Sequence, residues 1–146
     1  LYIVLAKYRS LSVSTAWAYK AFRQQFSHSY LCQPEDLECR RQQVHSGPMM
    51  TAIAQRDGGQ IGQLLYNDLE RVVLPEHPSV LALRQAFERA HPLGTMMSGS
   101  GPSVFALAES QEQAEQIKAR VAAEMANPDL DLWVVKFNSS GIRLAN

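Results

Sequence analysis

Apolar and polar positions along the chain switch several times between the strand period and the helix period. Residues 1–8 (LYIVLAKY) are rich in β-branched and aromatic types and apolar on both faces, which predicts a central strand. Leu1 already lies inside that pattern, so the expectation is a first strand that continues from sequence preceding Leu1. Ser10 to Ser14 forms a polar turn. Ser14 or Thr15 can cap a helix running to about Phe26, with Ala16, Tyr19, Phe22 and Phe26 at helical spacing. Ser27 to Glu35 reads as loop. A second helix, with a thin apolar stripe, is expected from Asp36 to Val44 and is broken by Ser46-Gly47-Pro48. Met49 to Arg56 predicts a short helix ended by Asp57-Gly58-Gly59. Gln60 to Leu69 predicts another, with Ile61, Leu64 and Leu65 on one side.

Pro75 and Pro78 bracket an expected turn. Ser79 then opens an amphipathic helix to Ala90 with Val80, Leu83 and Phe87 as its apolar stripe. His91-Pro92 stops it, because a residue before proline is pushed out of the α region. Leu93 to Ser98 reads as a short strand, Gly99 to Pro102 as a tight turn, and Ser103 to Glu109 as a strong strand. Ser110 opens a helix to about Ala126 with Ala114, Ile117 and Val121 inward. Asn127-Pro128 ends it, and Leu132 to Phe137 is the last strand. Two strands joined by a turn with no helix between them are antiparallel if they pair. Helices between the others suggest a sheet covered on one face, so the expected fold is an α+β sandwich of about four strands in one domain over residues 1–146.

Composition narrows the partners. The chain has 146 residues, with 14 Lys+Arg against 14 Asp+Glu and a formal net charge of zero. Such a surface exerts no long-range pull on polyanions, so neither nucleic acid nor an anionic membrane is expected as the main partner. No apolar run approaches the roughly 20 residues a membrane-crossing helix needs. Cys32 and Cys39, seven apart, would sit about 10 Å apart along a helix axis, too far for a disulfide. The four histidines are scattered and no CxxC pair occurs. The expectation is a reduced, cytoplasmic protein (or plastid stroma, in a plastid-bearing organism) without a metal site of its own.

Three segments could carry chemistry. In Leu93 to Leu107 (LGTMMSGSGPSVFAL), Gly99 and Gly101 allow positive φ, and successive N–H groups with Ser100 between them can cradle an anion. The plain alternative is a hairpin turn, since the pattern lacks both a P-loop lysine and a following helix. In Ser12 to Tyr19, a helix opening on Ser-Thr offers free N–H groups, and Tyr19 lies one turn after Thr15. Tyr19 could stack on a base, or it could be core. In Leu65 to Glu70, Asn67 and Asp68 could be site groups or could bond their own backbone. Asp68 and Glu70 are the nearest approach to a carboxylate pair: in a strand they share a face, and a helix would splay them. Cys32 has no histidine with a catalytic signature near it. No nucleophile elbow is present.

Taken together, SVST…AY, NDLE and GTMMSGSGPSVFAL resemble the C-terminal half of the GHMP kinase superfamily, over about residues 1–110 and more weakly to the end. The resemblance implies a ferredoxin-like C-terminal domain whose ATP-binding N-terminal domain is not in these residues. It implies transfer of the ATP γ-phosphoryl group to the 2-hydroxyl of a cytidine-diphosphate-linked methylerythritol, in non-mevalonate isoprenoid synthesis. Thr15 and Tyr19 match the positions lining the cytidine pocket. Gly99, Ser100 and Gly101 match the glycine-rich motif that faces the phosphates, and Asn67 and Asp68 match a signature that shapes the cleft. Ala16 stands where family members often have proline.

The catalytic Asp and Lys, the ATP loop and the Mg²⁺ contacts of that superfamily belong to the N-terminal half. None is expected here, and this chain alone is expected to be inactive. Its expected partners are the cytidine substrate and its own N-terminal domain; a monomer and a homodimer are both compatible with the sequence. The competing reading is a stand-alone ferredoxin-like module that binds a small regulatory ligand.

Overall fold

The computed structural model describes residues 1–29, 37, 38, 40, 41 and 47–138. Its elements are β1 (Tyr2–Tyr8), α1 (Thr15–Gln25), a 3₁₀ turn (Ser27–Ser29), α2 (Pro48–Gln55), α3 (Gly58–Gln63), α4 (Glu70–Glu76), α5 (Pro78–Arg89), β2 (Gly94–Met97), β3 (Val104–Ala108), α6 (Gln111–Met125) and β4 (Leu130–Lys136). The strands form one four-stranded sheet in the order β2-β3-β1-β4, and each neighbouring pair is antiparallel. β1 is central, as its two-sided apolar pattern requires, and the architecture is the expected α+β sandwich. Most of the helix expected over Asp36 to Val44 lies outside the described residues, as do Cys32 and Cys39.

Strand alternation builds the core. Val4, Ala6 and Tyr8 of β1 share a face with Val104, Ala106 and Ala108 of β3. Leu83 and Phe87 of α5 and Ile117 and Val121 of α6 pack against that face and are fully or almost fully buried. Leu107 points to the other face. It too is buried, yet it lies apart from the main core, because α3 comes down on β2 and β3 there. Gly62 of α3 and Gly94 of β2 make that contact backbone to backbone: a Cβ on Gly62 would stand 2.0 Å from the Leu93 carbonyl oxygen. Farther along the second face, Trp133 and Val135 of β4 are exposed.

Three sequence expectations need correction. The helix expected over Gln60 to Leu69 starts earlier and stops sooner, at Gly58–Gln63. The Asp57 side chain caps it by accepting the Gln60 N–H at 2.9 Å, so the two glycines open the helix rather than end its predecessor. The region expected as a turn before Pro78 is α4, and Pro75 falls in its last turn, where it cannot supply the N–H of a helical bond; the helix ends one residue later. The stripe of α1 also differs. Ala18, Ala21 and Phe22 are its buried residues, while Ala16 and Tyr19 are exposed, because small alanines let the helix lie close.

Candidate functional site

The end of the sheet where β1 and β2 finish gathers four elements. Ser14 caps α1, its Oγ accepting the Trp17 N–H at 3.3 Å, so the N-terminus of α1 is fixed beside the hairpin joining β2 to β3. Thr15, the first residue of α1, reaches that hairpin directly: its Oγ1 lies 2.8 Å from Ser100 Oγ in a shared hydrogen bond. The hairpin needs its glycines. Gly99 has φ +55° and Gly101 φ +76°, in the region L side chains avoid. The Gly101 N–H donates to the Ser98 carbonyl at 2.9 Å and closes the turn. Among the described residues no backbone bond engages the N–H groups of Gly99 or Ser100. Two successive free N–H groups beside a helix N-terminus suit an anion.

Asn67 holds the loop from behind. Its Nδ2 donates to both the Met97 and the Gly99 carbonyls at 2.8 Å, while its Oδ1 accepts the Leu69 N–H at 3.0 Å. Asp68 does something else. It accepts the Tyr66 hydroxyl at 2.8 Å and lies 3.8 Å from Arg71. That hydrogen bond to Asp68 raises the Tyr66 phenol above its ordinary value. Tyr19, one turn beyond Thr15 on the same side of α1, is 58% exposed and so is not a core residue. The fold thus brings together Thr15, Asn67, Gly99, Ser100 and Gly101, leaves Tyr19 open beside them, and turns Asp68 to its own pair.

Sequence reasoning weighed Glu70 only as half of a carboxylate pair with Asp68, and missed Arg84 and the link between Glu70, Arg84 and Met97. Glu70 accepts the Met97 N–H at 2.6 Å, and Arg84 Nε donates to its two oxygens at 3.0 and 3.1 Å. Burial opposes the charge on Arg84, but Glu70 and Glu88 outweigh it and the guanidinium sits above its ordinary value. A lone Glu and a lone Arg, 14 residues apart, carry no spacing signal; only the packing of α4 on α5 joins them.

Two further features bound the chemistry. A cavity of about 910 Å³ opens at the opposite end of the sheet, between Leu1, Ile53, Ile61, Leu93 and Phe137, and its walls are mainly apolar. It shares no residue with the glycine hairpin. Among the described residues no three His, Cys, Asp or Glu side chains come together as metal ligands. No helix among them is long and apolar enough to cross a membrane.

Comparison with known proteins supplies the family. Two relatives are both described as 4-diphosphocytidyl-2-C-methyl-D-erythritol kinase. The protein of Trichodesmium erythraeum is 55% identical over all 146 residues, and that of Cyanothece sp. is 58% identical over 144. The chain spans less than half of their length, 46% and 44% respectively. Two solved structures share the fold. Homoserine kinase from Cytophaga hutchinsonii superposes with a TM-score of 0.70 at 23% identity, over 96% of this chain and 42% of that one. A 4-(cytidine 5'-diphospho)-2C-methyl-D-erythritol kinase superposes with a TM-score of 0.60 at 20% identity, over 90% of this chain and 41% of that one. A family model described as GHMP kinases C terminal matches residues 49–127, more than half of the chain and the stretch from α2 through the glycine hairpin to the end of α6, and the chain therefore belongs to the GHMP kinase family through its C-terminal domain.

Proposed function

We propose that this chain is the substrate-binding, C-terminal half of an ATP-dependent kinase acting on 4-diphosphocytidyl-2-C-methyl-D-erythritol, a step of non-mevalonate isoprenoid precursor synthesis. The observation that carries the reading is the convergence of the α1 N-terminus, through Thr15 and Ser100, on the two free N–H groups of the glycine hairpin. It occurs in a chain more than half identical to relatives bearing that name.

In the reaction the acceptor's 2-hydroxyl oxygen forms a bond to the γ-phosphorus and the bond to the ADP oxygen breaks. The hydroxyl proton passes to a base outside these residues. Phosphoryl transfer is largely a matter of positioning and charge stabilisation. The N–H groups of Gly99 and Ser100 and the positive end of α1 supply fixed partial charges toward phosphate oxygens. Thr15 and Ser100, tied to each other, hold helix and hairpin at one separation. The exposed ring of Tyr19 covers one face of the cytosine. Asn67 holds the hairpin in shape; Asp68 has a supporting part through Tyr66 and Arg71. ATP and Mg²⁺ bind mainly through an N-terminal half, which is also this domain's partner, and the chain alone is inactive.

Stacking of a base on an aromatic ring contributes about 1–3 kcal/mol by alanine substitution. In the full-length protein Tyr19→Ala should therefore raise the KM for the cytidine substrate about tenfold or more, with the KM for ATP within about twofold. Steady-state kinetics with each substrate varied in turn measures both. An unchanged KM for the cytidine substrate removes Tyr19 from the pocket.

A further inference from the structure

β2 is an edge strand, and an edge leaves backbone groups facing outward without a neighbouring strand. At Met97, the last residue of β2, both of those groups are taken by side chains from one short segment. Glu70 Oε1 accepts the Met97 N–H, and Asn67 Nδ2 donates to the Met97 carbonyl. Residues 67–70 thus stand in for a fifth strand at a single residue, where β2 gives way to the glycine hairpin. The main-chain links from Met97 to Gly99 are the only covalent path from β2 into that hairpin, so what fixes Met97 fixes the departure of the loop.

A carboxylate is a costly acceptor in that place. It brings negative charge close to a loop whose free N–H groups suit an anion. Arg84 answers this charge through its Nε on both carboxylate oxygens, and it is itself braced by Glu88 on the next turn of α5. The side chains of Glu70 and Arg84 are only 16% and 23% exposed, so solvent screens the pair weakly.

We propose that Glu70, neutralised by Arg84, is a positioning residue of the phosphate-facing hairpin: it sets the strand end from which Gly99–Gly101 depart, and so acts on turnover rather than on the affinity for the acceptor. This inference rests on the kinase reading above. It makes Glu70 neither an acid nor a base of the reaction, since both its oxygens are committed.

Variants of the full-length protein test it. Glu70→Gln keeps an oxygen acceptor for the Met97 N–H and should retain kcat within about threefold, whereas Glu70→Leu removes the acceptor and should lower kcat about 30-fold or more. Arg84→Met leaves the carboxylate uncompensated and should also lower kcat. Adding Glu70→Gln to Arg84→Met removes that charge and should recover most of the loss, a non-additivity expected only of a coupled pair. In every case the KM for the cytidine substrate should stay within about twofold. If Glu70→Leu does not fold, the comparison of Arg84→Met with the double variant decides.

Equal losses in Glu70→Gln and Glu70→Leu, a KM that rises in step with the fall in kcat, or no recovery in the double variant overturns the positioning role while the wild-type activity stands. A wild-type protein that phosphorylates no cytidine-diphosphate-linked alcohol overturns the kinase reading, and this inference with it.

Discussion

Gly62→Ala should strongly destabilise the domain. The added methyl would stand 2.0 Å from the Leu93 carbonyl oxygen and 2.4 Å from its carbon, with the Gly94 nitrogen at 2.9 Å. All three atoms are backbone, so no side-chain rotation relieves the clash. Either α3 lifts from β2 or the edge strand shifts, and burial of Leu107 beneath α3 is lost with it. Overpacking of a side-chain core costs about 1–3 kcal/mol, and a clash between two backbones lies at or above the top of that range. Domains are stable by about 5–15 kcal/mol, so a large share of the stability goes. Gly59→Ala is the control, because its methyl meets only Asp57 Oδ1, at 3.4 Å. Urea unfolding of the two variants should give midpoints far apart, with Gly62→Ala unfolded or nearly so and Gly59→Ala close to the parent. A Gly62→Ala midpoint equal to that of Gly59→Ala would mean that α3 does not rest on β2.

Gly99→Ala should separate activity from stability. A Cβ at Gly99 has nothing within 4 Å, so the substitution meets no clash and only the φ of +55° is strained. That strain costs about 1–2 kcal/mol. The methyl would stand in open space beside the free N–H groups of residues 99 and 100, where the proposed function puts a phosphate oxygen. Displacement of a reacting group by about 1 Å can cost on the order of 10²-fold in rate. Turnover of the full-length protein should fall by that order while thermal unfolding shifts by a few degrees. Gly101 is a poorer probe, since a Cβ there would stand 2.8 Å from Met97 Sδ and disturb the core directly. A Gly99→Ala protein with unimpaired turnover would return the hairpin to an ordinary turn.

Much of this was legible in the residues. The β-branched run of residues 1–8, the Val80-Leu83-Phe87 stripe and the Gly99–Pro102 turn each have a strong local signature, and each element stands where that signature places it. The segment between Asp57 and His77 was not legible in the same way. There Asp57 acts as a cap through a side-chain bond that the sequence does not distinguish from a turn, and Asn67 both folds the turn before α4 and grips the hairpin 30 residues away. Long-range bonds of that kind leave no periodicity. The α1 stripe failed for a related reason. Helical spacing alone does not say which face is buried, and Ala18 and Ala21 are chosen by the close approach of neighbouring elements, α4 among them, rather than by hydrophobic bulk. Of the candidate site, the sequence indicated the glycine hairpin, Thr15 and Asn67; the Thr15–Ser100 contact that joins two of them spans 85 residues and emerges only from the fold.

The most direct test of the account is an acceptor comparison with the full-length protein that carries this domain. Transfer of the γ-phosphoryl group from ATP would be followed with 4-diphosphocytidyl-2-C-methyl-D-erythritol, homoserine and mevalonate as separate acceptors, beside the 146-residue chain on its own. The account predicts efficient transfer to the cytidine-diphosphate alcohol, little to the other two, and none by the chain alone. Preferred transfer to homoserine or mevalonate, or turnover by the chain without its N-terminal half, would contradict it.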